Sequence, residues 1–400
     1  MSTPRLDLQT LPRVGAADVY KAGRKAGQLR RARDGGVFFS YSAEYLGTGL
    51  PPVALSLPLD PAPVRSPSGG VPPFFAGLLP EGHRLTVVKS AIKTSADDEL
   101  SILMAVGADA PGDVQVVPEG VAPEEPEPLV DLANPRGVDF SLLARALDLH
   151  ALPGVQEKSS ASMLTAPVAG PAGRFIVKLD PPEHPHLVRN EMLHLTWARR
   201  LKIPVAAARV LEDKHGLPGL LVERFDRAAG ARGWERLPME DSAQLMGLAP
   251  AAKYGVSSED VVAAVSARCD APLVAVRNLY IQFLFSWLTG NGDLHAKNVS
   301  VLGGRGAGFM VAPVYDIPST LLYGDDSQAL PVNGKTRKLR MRDWVAFAET
   351  IGLPTRAARS VNELALRAAS AVDLSELPFT GSPLNRAERE LRRRRYELGG

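Results

Sequence analysis

Apolar positions early in the chain follow short strand-like patterns. Val37-Phe38-Phe39 follow the Gly35-Gly36 pair, and apolar residues alternate with others in VALSLPL, Val53 to Leu59. Short strands and tight turns are therefore expected over the first 115 residues. Pro61 to Pro73 is rich in proline and reads as a loop. LTVVKSAIK comes next, and then ADDELSILMAVG, which opens with acidic residues and spaces its apolar residues three and four apart, as a helix does. VAPEEPEPL, Val121 to Leu129, has little to bury and reads as a linker.

A second unit starts near Asp139. FSLLARALDL has helical spacing, and GVQEKSSASML, Gly154 to Leu164, reads as a turn running into a strand. RFIVKLD, Arg174 to Asp180, is an apolar strand containing one lysine. Asn190 to Leu201 is helical in period, and GLLVERFDR, Gly219 to Arg227, is strand-like. From Asp241 onward the patterns are mostly helical, with a short strand-loop region near Val299 to Val314. Strands followed by helices across a connecting segment outline two lobes. There is no internal repeat.

Composition bounds this picture. The chain has 400 residues, 45% hydrophobic and 22% charged, enough for two or three packed units. The 46 basic and 44 acidic residues leave a net charge of +2, which neither demands nor excludes a nucleic-acid partner. Cys269 is the single cysteine, so an internal disulfide framework and a cysteine metal cluster are excluded. MSTPRLDLQT has no apolar signal core, and the longest apolar run, about Leu279 to Leu288, is short of the roughly 20 residues that span a bilayer. That run reads as a buried helix, and a cytoplasmic protein with no membrane partner is the expectation.

The stretch NGDLHAKN, Asn291 to Asn298, follows this apolar run and carries candidate chemistry. Asp293 and Asn298 are five positions apart, and Asp316, in APVYDIPS, lies 18 residues beyond Asn298. Protein kinases space a catalytic Asp, a metal-binding Asn and a second metal-binding Asp in a related way. In that reading Asp293 is the base, Asn298 and Asp316 hold Mg²⁺, and Lys297 neutralises the transferring phosphoryl group. His295 either orients Asp293 or is a satisfied buried histidine. The plainer alternative for the whole loop is a polar turn with Asx caps. Where protein kinases have Asp-Phe-Gly, this chain has Asp-Ile-Pro.

Lys178 lies inside an apolar strand, where an unpaired charge is costly. ATP phosphates would pair it, and Glu191, 13 residues on, is placed to orient it. A solvent-facing lysine on an edge strand is the alternative. The glycine turn GVQEK, Gly154 to Lys158, suits phosphate approach but by itself reads first as an ordinary hairpin turn. VERFDR, Val222 to Arg227, is either a hinge facing an adenine ring or a set of local charge pairs. Glu183, His184 and His186 suggest a metal cluster, but the prolines around them mark an exposed loop. Arg386 to Arg395, interleaved with Glu388 and Glu390, reads as a solvated helix, with contact to DNA phosphate as the alternative. An Asp/His metal hydrolase around Asp293, His295 and Asp316 lacks a compact ligand set.

Taken together, these motifs resemble the HipA family of toxin kinases from bacterial type II toxin–antitoxin systems. The likeness runs through GRKAGQL, FFSYSAEYL, SLPL, FFAGLLPEGHR and GADAPGDVQV in the first part. It continues through GVQEKSSAS, FIVKLD, NEMLHLTWARRL, VERFDR, EDSAQLMG, FSWLTGNGDLHAKNVSVL and APVYDIPS. The resemblance implies an α+β, two-lobed protein-kinase-like fold with a small β-rich N-terminal subdomain and a helical C-terminal lobe. Expected boundaries are 1–118 for the subdomain, 119–138 for the linker, 139–227 for the ATP-binding region and 228–400 for the helical lobe. It implies a serine/threonine kinase using ATP and Mg²⁺, bound by a HipB-like helix-turn-helix antitoxin and reaching operator DNA through it. Family targets are proteins of translation, glutamyl-tRNA synthetase best known, so an aminoacyl-tRNA synthetase is an expected substrate class. The alternative is a non-catalytic corepressor acting with a DNA-binding antitoxin.

By motif, Asp293 would be catalytic. ATP would be contacted by Pro153, Gly154, Val155, Gln156, Glu157, Lys158, Lys178, the hinge residues Glu223, Arg224 and Phe225, the stretch His295, Ala296, Lys297 and Asn298, and Tyr315 and Asp316. The family serine that is autophosphorylated in some members corresponds here to Ala151, which cannot accept phosphate; Ser159 and Ser160 lie on the other side of the glycine.

Overall fold

The computed structural model describes residues 7–124, 139–140, 164–170, 173–231, 233–304 and 308–399. Its first layer is an antiparallel sheet of order β4-β3-β2-β1-β5, built from β1 (Ala16–Lys21), β2 (Arg24–Arg31), β3 (Gly36–Tyr41), β4 (Val64–Ser68) and β5 (Val114–Pro118). Ala22 and Gly23 both have positive φ, 47° and 77°, the backbone that a tight β1–β2 hairpin requires. Val19, Leu29, Phe39 and Val116 from these strands are buried with Phe75, Ile92, Leu100 and Leu103 from the helices Pro73–Gly77, Gly82–Ile92 and Glu99–Val106.

Two segments here depart from the sequence reading. VALSLPL is a turn closed by a single Ala54–Leu57 bridge, because Pro51, Pro52 and Pro58 withhold ladder donors. The proline-rich Pro61–Pro73 stretch contains β4, paired only with β3, where proline is tolerated on an edge strand.

The second sheet has the order β6-β7-β9-β8, with β6 Leu164–Gly170, β7 Gly173–Leu179, β8 Ala208–Glu212 and β9 Pro218–Glu223, all antiparallel. β7 is an inner strand, so Lys178 is not on an edge. The helix Leu187–Ala198 packs on this sheet, and the Asp180 carboxylate accepts from the backbone N–H groups of His186 (2.9 Å) and Val188 (2.7 Å) at its start. His184 and His186 pack edge-on against Tyr323 and Phe379, and no group of three or more His, Cys, Asp or Glu placed to hold a metal occurs among the described residues.

Pro272–Thr289 is the central helix of the C-terminal half, buried continuously from Leu279 to Thr289. Gly290, at φ 76°, ends it in the left-handed cap. The helix Thr355–Ser370 packs against it, and a three-stranded sheet of Met239–Asp241, Ser300–Gly303 and Phe309–Val311 flanks its exit. The arginine-rich end forms the helix Ser382–Gly399. It is not simply solvated: Arg394 is buried, 3.6 Å over the Trp287 ring, and donates to Trp287 O (2.9 Å) and Asp326 O (2.6 Å).

Arginines tie the first sheet's connections to the second sheet. Arg224 and Arg227 both reach Asp226 and Asp109, at 2.6 to 3.0 Å, and Asp226 also accepts from Gly112 N–H at 2.9 Å. Glu240, in the strand Met239–Asp241, accepts from Leu55 N–H at 2.6 Å. No helix among the described residues is long and apolar enough to cross a membrane.

Candidate active site

Period-two alternation along β7 buries Val177 and Leu179 and sends Lys178 to the opposite face, toward the helix Leu187–Ala198. There its ammonium meets both oxygens of Glu191 at 2.8 Å and Asp316 Oδ1 at 2.9 Å. Burial alone would discharge the lysine, but the carboxylates of Asp316 and Glu191 outweigh it and raise its pKa above the usual value. Burial works against the Asp316 carboxylate too, and Lys178 more than offsets it, holding that group below the usual range. Asp316 sits at φ 56°, a left-handed conformation sparsely used by residues with a side chain.

The loop after Gly290 is knitted by its own polar groups. Asp293 N–H donates to Asn291 Oδ1 (2.7 Å), while Asp293 O accepts from Asn298 Nδ2 (2.9 Å) and His295 N–H (2.8 Å). Gly292 N–H donates to Thr320 Oγ1 at 2.8 Å, and a Cβ at Gly292 would come within 2.6 Å of that same oxygen. The Asx-type bonds of the plainer alternative are therefore present, and they fix the direction of the Asp293 side chain. Its Oδ1 accepts from the Tyr254 hydroxyl at 2.7 Å, and burial pushes its carboxyl up to about 6.

His295 does not orient Asp293 through its ring. The ring is buried, with Nδ1 unpartnered, and stands edge-on to Tyr254 at 5.0 Å. Burial, with Lys253 nearby, pushes it down to about 4, so it is neutral at pH 7. Asn298 Nδ2 is committed to Asp293 O, which orients Oδ1 as the free acceptor, and no protein donor reaches that oxygen among the described residues. With the Asp316 carboxylate it supplies oxygen donors of the type Mg²⁺ takes when phosphates complete its shell.

Lys297 is held from the N-terminal side. Its ammonium donates to Gly77 O at 2.7 Å and lies 3.4 Å from Glu81 and 3.6 Å from Asp241. Glu81 also pairs with Lys253, the residue before Tyr254. Burial would raise the Glu81 carboxyl, but Lys297 and Lys253 pull it below the usual range, whereas burial dominates at Asp241 and pushes it up to about 6. Ala296 N–H donates to Lys253 O at 3.2 Å, so the catalytic-loop candidate and the 250–255 segment form one unit.

The hinge candidates are split. Phe225 and Tyr315 place their rings 5.6 Å apart, and the Tyr315 hydroxyl donates to Lys297 O at 2.9 Å. Glu223 N–H and Arg224 N–H are bonded to Ala207 O (2.8 Å) and Arg174 O (2.9 Å), and the Arg224 guanidinium is taken up by Asp226 and Asp109. Pro153 to Lys158, with Ala151, Ser159 and Ser160, lie outside the described residues. Sequence reading overlooked Tyr254, Lys253 and Glu81, whose only signal was their position in AAKYG and LLPEGHR.

Sequence comparison places this architecture in a family. Residues 150–372 match the HipA-like C-terminal domain, and residues 17–117 match the HipA N-terminal domain. The putative kinase Y4mE of Sinorhizobium fredii is 31% identical over 87% of this chain and 89% of its own length. The serine/threonine-protein kinase toxin HipA of Shewanella oneidensis is 26% identical over 78% of each chain. The HipA chain solved with HipB and operator DNA from the same organism superposes with a TM-score of 0.73 at 22% identity, covering 96% of this chain and 95% of that one. The protein belongs to the HipA family of kinase toxins.

Proposed function

We propose that the protein is an ATP-dependent serine/threonine kinase acting as the toxin of a HipBA-like pair in the cytoplasm. The arrangement that carries the reading is the Lys178–Glu191–Asp316 contact beside Asp293 and Asn298. A strand lysine braced by a helix carboxylate, next to a base and two oxygen ligands, is what phosphoryl transfer asks of a protein. Lys178 holds the nucleotide's phosphates, and Glu191 keeps its ammonium in place when phosphate competes with Asp316. Phe225 and Tyr315 flank the purine. Asn298 and Asp316 would hold Mg²⁺, which supplies charge neutralisation at the phosphates. Asp293 accepts the proton of a serine or threonine hydroxyl as its oxygen bonds to the γ-phosphorus; the bond from phosphorus to the bridging oxygen breaks, and ADP leaves with that electron pair.

The division into 1–118, 119–138, 139–227 and 228–400 belongs to the same proposal. So do a HipB-like antitoxin, operator DNA reached through it, and a translation protein such as an aminoacyl-tRNA synthetase as substrate. The Shewanella relative solved with HipB and its operator supports the partner reading. The test is labelled phosphate transfer in cells and in vitro by wild type and Asp293→Ala. We expect transfer and growth arrest to be lost while the fold is kept; arrest that survives the substitution would favour a non-catalytic corepressor.

A further inference from the structure

The hydrogen bond on Asp293 comes from inside the chain. Tyr254 Oη lies 2.7 Å from Asp293 Oδ1, within the range at which a general base takes a proton from a hydroxyl. The donor is of the same kind as a substrate's, a neutral O–H. Burial and the neighbouring Asp293 raise the phenol above its usual value, so it remains protonated and donates.

The tyrosine also forms the outer side of this contact. It is 42% exposed, whereas Asp293 beneath it is half-buried. Its ring stands edge-on to His295 at 5.0 Å, with Lys253 Nζ 5.3 Å over its face. Lys253 is pinned to Glu81, from the connection between the helices Pro73–Gly77 and Gly82–Ile92. The N-terminal layer therefore holds the residue adjacent to the tyrosine.

We propose that Tyr254 is an internal stand-in for the acceptor: its hydroxyl holds the place of the substrate's hydroxyl on Asp293 and must swing out before phosphate is transferred. This rests on the reading of Asp293 as the base. Water is then kept off the base in the absence of substrate, and ATP is not hydrolysed idly. An acceptor is selected by its ability to displace the ring, which favours a protein segment presenting an aliphatic hydroxyl over a small free alcohol.

The experiment measures Mg-ATP hydrolysis, with water as acceptor, by wild type, Tyr254→Phe, Tyr254→Leu and the double variant Asp293→Asn/Tyr254→Phe. Nucleotide binding is measured alongside by calorimetry, and phosphosites are mapped by mass spectrometry. Loss of one hydrogen bond to a carboxylate should raise hydrolysis about tenfold in both single variants, with nucleotide affinity unchanged. The double variant should fall back to background. Hydrolysis equal to or below wild type in folded Tyr254→Phe and Tyr254→Leu would overturn the proposal and leave the kinase reading intact. Phosphate found on Tyr254 would also overturn it, showing the hydroxyl to be an acceptor. Absence of Mg-ATP binding by wild type would remove the kinase reading and this proposal together.

Discussion

Lys178 and Asp316, 138 positions apart, form a 2.9 Å ion pair that joins the second sheet to the loop beyond the central helix. The same ammonium is held by the fully buried Glu191, so a single cation neutralises two carboxylates. Lys178→Met should leave both without the ammonium they share. Removing one member of such a buried set costs about 3 kcal/mol, a figure that partial exposure of Asp316 reduces. Urea unfolding should show the loss, and phosphate transfer should fall below detection. A variant that kept wild-type transfer would remove Lys178 from the site.

Asp293 predicts a dependence on pH with opposite signs for activity and stability. Its carboxyl is pushed up to about 6, so the deprotonated base is scarce below that pH, and kcat/KM should rise as pH passes through about 6. Because the folded pKa exceeds the unfolded one, this group favours folding fully below about 4 and loses that contribution as pH rises through about 6. Asp293→Asn should therefore be inactive yet more stable than wild type at pH 7, by on the order of 1 kcal/mol, with no difference near pH 4. Thermal melts at the two pH values check this; a variant less stable at both would contradict it.

The sequence made parts of this arrangement legible and hid others for a physical reason. Lys178 in an apolar strand, Glu191 on the next helix, and the polar cluster after the Leu279–Leu288 run each leave a local signature, because burial and period act over a few residues. Their meeting with Asp316 was legible through motif order. Glu81 and Lys253 are 172 positions apart, and neither carries a periodic sign of its partner. Tyr254 looks like any tyrosine in a turn until the fold sets its hydroxyl against Asp293. Composition similarly misdescribes Arg394, which the Trp287 ring and two carbonyl oxygens make a core residue. VALSLPL alternates as a strand would, yet its flanking prolines leave a turn.

The Asp226 carboxylate is the centre of the joint between the N-terminal layer and the hinge. It is buried, receives Arg224 and Arg227, and accepts from Gly112 N–H at 2.9 Å. Asp226→Ala should cost about 3 kcal/mol, because two buried guanidinium groups lose a shared anion. Calorimetry should then resolve two unfolding transitions, where one is expected for wild type. A single, unshifted transition would mean that Asp109 alone suffices to hold the joint.

Asn298 and Lys178 should separate metal use from nucleotide binding. The Asn298 amide is fixed by its 2.9 Å bond to Asp293 O, which leaves Oδ1 as the outward acceptor. Asn298→Ala removes that oxygen and one of the two donors to the Asp293 carbonyl, so the loop loosens modestly while Lys178 keeps its partners. Mg²⁺ prefers a nearly complete oxygen shell, and loss of one protein ligand should raise the half-saturating Mg²⁺ concentration about tenfold. Nucleotide affinity at saturating Mg²⁺ should stay near wild type in Asn298→Ala and drop in Lys178→Met. In the proposed site the lysine would meet the phosphates directly, whereas the asparagine would meet them only through the cation. An unchanged Mg²⁺ requirement in Asn298→Ala would assign that amide a purely structural role in aiming Asp293, leaving Asp316 as the one protein ligand proposed here.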